Sequence, residues 1–213
     1  MIKLWGRKTS INVQKVMWTL AELGLPHERI DAGGTFGRLD TEEFHALNPN
    51  RLVPVIEDNG FALWESSAIV RYLARQYGHD TLTPRDMRAQ ALADQWMEWA
   101  NTTLYNDINS VCFWGLIRTR ASDRNLSSIR DAAKRAGDRL GVLDAHLANR
   151  NYILGDQLTI ADIPAGALMF RYFSLDIERP ALPHVSAWYA RLRERPAYSQ
   201  NVEIDFSSLQ VAD

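Results

Sequence analysis

Apolar residues recur through the first 78 positions in two alternating rhythms. Ile2–Trp5 is a short, mostly apolar run of strand length. Between Asn12 and Leu23 the rhythm changes: Val13, Val16, Met17, Leu20 and Leu23 fall three or four residues apart, as on one helix face. Gly24 then supplies a stop. Glu28–Asp31 returns to strand length. Asp40–Leu47 reads as a short helix with Thr41 at its cap, ended by Asn48-Pro49, because a proline pushes the residue before it out of helical geometry. Val53–Glu57 and Ala62–Trp64 flank Asp58-Asn59-Gly60, a hairpin turn in which Asn-Gly accepts positive φ at both central positions. Ser66–Tyr77 sets Ala68, Ile69, Tyr72 and Leu73 on one helical face, with Gly78 at the end. The predicted order is βαβαββα.

Past His79–Arg85, a linker containing Pro84, strand signals vanish. Met87–Trp114 is one long helical stretch, and Leu126–Leu147 another, with Ile129, Ala133, Ala136, Leu140 and Leu143 three or four apart. Thr159–Phe173 and Pro183–Arg193 follow as two more. The pattern predicts a small α/β domain over residues 1–80 and a larger all-α domain over 86–213.

Composition narrows the function without naming it. The chain has 213 residues, 46% hydrophobic and 23% charged, with a formal net charge of -2. That balance belongs to a folded, water-soluble protein and gives no general attraction to nucleic acid or to an anionic membrane. No run approaches a membrane span. Cys112 is the single cysteine, which excludes an intrachain disulfide and a cysteine-rich metal site. A lone thiol suits a reducing compartment, and MIKLWGRKTS lacks the apolar core of a signal peptide, so a cytoplasmic location is expected.

Several joints between these elements carry a resemblance. Asn48-Pro49-Asn50-Arg51-Leu52-Val53-Pro54-Val55, followed by Leu63-Trp64-Glu65-Ser66-Ser67-Ala68-Ile69, resembles the soluble glutathione transferase superfamily, as does the element order of the whole chain. The N-terminal segment is most similar to bacterial theta-like and nu-like members. The resemblance implies a thioredoxin-like first domain, an all-helical second domain, and a cis bond between Val53 and Pro54. That bond would turn the backbone of Val53 toward the cysteinyl unit of glutathione, like a sheet edge; the plainer reading is a proline at a strand start. It also implies that Glu65 and Ser66 hold the γ-glutamyl end. A helix N-terminus with its free N–H groups suits a carboxylate, and Glu65 suits the α-ammonium. Taken alone, Ser66 would equally be a helix cap.

A thiol must become a thiolate to be a good nucleophile, and a hydroxyl donating to sulfur at a helix N-terminus favours that form. Thr9, Ser10 and Asn12 can all donate in this way. Nu-like relatives carry Thr-x-Asn followed by x-x-Lys; laid on this chain, Ser10 and Asn12 take the polar positions. The theta-like rule, a Ser four residues before a basic residue, counts back from Lys15 to Ile11 and so misses by one. Ser10 is therefore the first candidate and Asn12 the second donor. Leu52 occupies a position that is often basic or amide-bearing in the family and contacts the glycine carboxylate; Arg51 or Arg38 would have to replace it, or both are solvated surface charges.

Gly155–Asp162 resembles the family's N-capping box, in which Thr159 caps a helix and Asp162 reaches back, a folding role. An electrophile would lie beside the sulfur between the domains, with Trp5, Phe36, Tyr105, Phe113 and Trp114 as candidate walls, although most of seven tryptophans must serve the core. Tyr105 and Asn109 would share a helix face. The resemblance implies a homodimer that takes glutathione as co-substrate and needs no cofactor or metal. Conjugation to a hydrophobic electrophile is the expected activity. Glutathione-dependent disulfide or peroxide reduction, and a non-catalytic binding role on the same fold, are the alternatives.

Overall fold

The computed structural model describes residues 1–78 and 81–212. It divides into two compact units, Met1–Arg85 with Pro196–Ile204, and Asp86–Arg195 with Asp205–Asp213. Residues 79 and 80 of the predicted linker lie outside the described residues.

The first unit follows the expected order: β1 (Ile2–Trp5), α1 (Ile11–Glu22), β2 (His27–Ile30), α2 (Glu42–Leu47), β3 (Val55–Asp58), β4 (Phe61–Trp64) and α3 (Ser66–Tyr77). The sheet order is β2-β1-β3-β4, with β1 and β2 parallel and the other two pairs antiparallel. Strand periodicity sends alternate side chains to opposite faces. Ile2, Leu4 and Ile56 therefore join Val13, Val16, Leu20, Ile69 and Leu73 in a core under α1 and α3. Trp5 and Val55 point the other way and pack with Phe44 of α2. Asn59 and Gly60 both take positive φ, 51° and 87°, as the hairpin turn requires. The cap at Thr41 also forms: its Oγ1 accepts from the Phe44 N–H at 3.2 Å.

One element escaped the sequence reading. Pro196–Asn201 forms α9, a single short helix beyond the boundary drawn for the first domain. Its Tyr198 meets Trp18 of α1 edge-on at 4.8 Å, both fully buried. Six residues carry too little periodicity to declare such a partner in sequence. The predicted second domain, drawn through to residue 213, thus gives up residues 196–204.

In the helical unit, α6 (Leu126–Leu147), α7 (Asp162–Ser174) and α8 (Pro183–Arg193) match their predicted spans closely. The long predicted helix is continuous but not uniform. α4 (Met87–Trp99) opens into π-helical winding over Ala100–Leu104 and Asn106–Phe113 before α5 (Trp114–Ile117) closes it. A buried carboxylate accompanies that wide winding. Asp107, 1% exposed in its side chain, accepts from Arg135 at 2.9 Å and from Arg139, and Arg139 also donates to the Thr103 carbonyl.

Candidate active site

The site is assembled from joints that lie far apart in sequence. Gly6 ends β1 at φ 152°, where a Cβ would stand 2.4 Å from Val13 Cγ2 and 3.3 Å from Val53 Cβ. Only a glycine lets the β1–α1 connection pass so close to both. Val53 is the residue before Pro54, and the bond between them is cis. Asn48, 2% exposed, braces that approach: its Nδ2 donates to the Leu52 carbonyl at 2.8 Å and its Oδ1 accepts from the Asn50 N–H at 3.0 Å. In the sequence Asn48 ends a helix and opens the motif that carries the resemblance, with no sign that it braces Leu52 beyond an amide beside a Pro-x-x-x-Val-Pro stretch.

Ser10 stands in extended geometry as the N-cap of α1, yet its side chain makes no capping bond. Its hydroxyl is therefore not committed to its own helix. Asn12, half-buried in the first turn of α1, accepts from Ser66 Oγ at 3.4 Å. Ser66 opens α3 and is 7% exposed. Two helix N-termini, each with partial positive charge, thus converge on one spot. Glu65 sits between β4 and α3 at φ 70°, a left-handed value uncommon for a side-chain-bearing residue. Its side chain does not cap α3 and is exposed.

The remaining candidates divide. Arg51 takes φ 54° and pairs with Asp40 at 3.0 Å on an exposed surface. Arg38, also exposed, gives its carbonyl to Thr41 Oγ1. Leu52 is 62% exposed. Trp5 is core and not a pocket wall: it is 4% exposed, donates to Glu57 at 2.7 Å and packs edge-on with Phe44. Phe113 is also core, 2% exposed, with the Arg171 guanidinium 3.8 Å from its ring centre. Phe36 and Trp114 are half exposed, and Arg118 lies over the Trp114 ring. Tyr105 is half-buried, and Asn109 is buried and accepts from Arg171. Cys112 is fully buried, and desolvation pushes its thiol up to about 11, so it stays an inert core thiol.

Residues 9–76 match the family model of the glutathione S-transferase N-terminal domain, and residues 93–196 match that of the C-terminal domain. Glutathione S-transferase GstB of Escherichia coli K12 is 41% identical over 209 residues, covering 97% of this chain and all of the relative. This chain is a member of the glutathione S-transferase family. Among solved structures, the theta class glutathione S-transferase of Xanthomonas axonopodis pv. citri, with glutathione bound, superposes with a TM-score of 0.91 at 43% identity. That match covers 96% of this chain and 98% of the other. Glutathione S-transferase D6 of Drosophila melanogaster is 30% identical over 203 residues, covering 93% of this chain and 91% of its own. The transferase fold anticipated from Val53-Pro54 and Glu65-Ser66 is the fold observed: a mixed four-stranded sheet with helices, followed by a helical unit.

Proposed function

We propose that this transferase binds glutathione along the first turns of α1 and α3 and activates its thiol for attack on an electrophilic small molecule. The observation that carries the reading is the meeting of Asn12 with Ser66 at two helix N-termini, with the cis Val53–Pro54 backbone anchored beside α1 through Gly6 and Val13. Ser66 and the α3 N-terminus take the γ-glutamyl carboxylate, and Glu65 takes its ammonium. The backbone of Val53 pairs with the cysteinyl unit. Ser10 donates to the sulfur, with Asn12 Nδ2 as second donor, and the thiolate forms a new S–C bond to the electrophile as the leaving group departs. Arg51 would reach the glycine carboxylate only by giving up Asp40, so it is the weakest member of the set. Glutathione enters as co-substrate and not as a resident cofactor.

The relatives support this reading by their names, and the Xanthomonas structure by its bound glutathione. Calorimetry with glutathione, followed by conjugation of an aryl halide, tests it. Absence of binding at millimolar glutathione rejects it, whereas turnover of a mixed disulfide without conjugation assigns the site to reduction instead.

A homodimer is part of the proposal. β4 is an edge strand of four apolar residues, and Phe61 and Trp64 on it are 48% and 37% exposed. A second copy covering that strand would remove an exposed apolar edge. Light scattering of Trp64→Glu against the parent chain reads this out. Cytoplasmic location is proposed on the same footing; among the described residues no helix is long and apolar enough to cross a membrane.

A further inference from the structure

The helical unit holds a cavity of about 650 Å³ that none of the glutathione-site residues lines. That size lies within the range of small-molecule sites. Its floor is apolar: Leu126, Ile129 and Ala133 from α6 face Ile177 and Pro180 from the loop after α7. Its charges are arranged unevenly between the two walls. On the α6 wall, Lys134 is held by Asp138 at 2.8 Å, which leaves Arg130. On the loop wall, Arg179 donates to the carbonyls of Tyr172, Phe173 and Leu175 at the end of α7. Asp176 and Glu178 remain there. The side chains of Arg130, Asp176 and Glu178 make no hydrogen bond or ion pair among the described residues.

Charges of opposite sign thus line one cavity without pairing with each other, beside an apolar floor. The ends of the helices reinforce the same polarity. Leu126 begins α6, the positive end of its dipole, and Asp176 follows the C-terminus of α7, the negative end. We propose that this cavity is a second ligand site, for a small zwitterion with an apolar body, such as a hydrophobic dipeptide. Its acid group faces Arg130 and its ammonium faces Asp176 and Glu178, while the apolar side chains lie on the floor. Neither an anion nor a cation alone satisfies both walls.

The probe is the dipeptide leucylphenylalanine, compared with its N-acetyl and C-terminal amide forms, each titrated calorimetrically into the full chain with and without saturating glutathione. The zwitterion is expected to bind saturably and to exceed both derivatives by about threefold or more, the scale of a single exposed ion pair. Arg130→Gln should erase the preference over the amide, and the double change Asp176→Asn with Glu178→Gln the preference over the N-acetyl form. All three positions are exposed, so these variants should fold and keep the parent conjugation rate. Equal binding of the three forms overturns the charge assignment. Loss of binding under saturating glutathione overturns the location, and no saturation up to about 10 mM, a standard affinity below 3 kcal/mol, overturns the site itself.

Discussion

Ser66 Oγ donates to Asn12 Oδ1 across 3.4 Å, joining the first turns of two helices whose contacting residues are 54 apart in sequence. The contact orients the Asn12 amide. With Oδ1 turned to the hydroxyl, Nδ2 remains to donate, as the proposed thiolate requires. The residue proposed to hold one end of glutathione therefore also sets a donor at the other.

Removing the Ser10 hydroxyl should lower kcat/KM about 10- to 100-fold, the value of one hydrogen bond to a charged sulfur. The pH profile of kcat/KM should shift upward, because a thiolate with fewer donors has a higher pKa. Thr9→Ala serves as the comparison. If it produces the shift and Ser10→Ala does not, the sulfur is held by Thr9.

Ser66→Ala should raise KM for glutathione and also weaken the effect of Asn12→Ala. A double-mutant cycle on kcat/KM is expected to give a coupling of about 0.5–1 kcal/mol, at the lower end for residues in contact because the bond is long. Strict additivity would separate the two roles.

Asp162 is fully buried, and desolvation raises its carboxyl to about 6 even though the Ile153 and Thr159 N–H groups, the Thr159 hydroxyl and the Trp188 indole N–H all stabilise the charged form and pull the other way. The folded state keeps its proton up to about 6 and the unfolded state only to 3.8, so this group's contribution is complete below 3.8 and is lost as pH rises toward 6. Asp162→Asn should flatten that slope in denaturant titrations. It should also cost about 2 kcal/mol, since an amide NH2 cannot accept from the Thr159 N–H.

Asp107→Leu should lower the melting temperature and loosen the π-helical segment, because two arginines and the winding around Thr103 are organised on that carboxylate. Hydrogen exchange of residues 100–113 measures it. Protection unchanged from the parent would show that packing alone holds the wide turns.

Tyr72 and Tyr77 both donate to Asp58 Oδ2, at 2.8 and 2.6 Å, which ties the β3–β4 hairpin to α3. Desolvation and the neighbouring carboxylate push Tyr72 up to about 12. Ultraviolet titration should therefore show tyrosine ionising near 12, lost in Tyr72→Phe. The folded state is the better proton binder here, so the link weakens as pH rises from 10 toward 12.

The sequence by itself determined the elements and the family. Period 2 and period 3.6 are local properties, so α3, α6 and α8 could be bounded to the residue, and the Asn59-Gly60 turn and Thr41 cap followed from backbone preferences of single residues. Val53-Pro54 and Glu65-Ser66 carried the resemblance to the family, whose N-terminal domain model matches residues 9–76. What only tertiary structure decided were relations between distant segments. Asn12 meets Ser66, Asn48 braces Leu52, and Tyr198 covers Trp18, none of which leaves a periodic trace. The aromatic candidates show the limit most clearly. Trp5 and Phe113 had the composition of a pocket wall, but which side of an element meets the core depends on what packs against it. Phe44 and Arg171 claimed those rings. The π winding at residues 100–113 was hidden for a related reason: a helix of either pitch repeats its apolar positions similarly, and the buried Asp107 and its two arginines become neighbours only once α6 is in place.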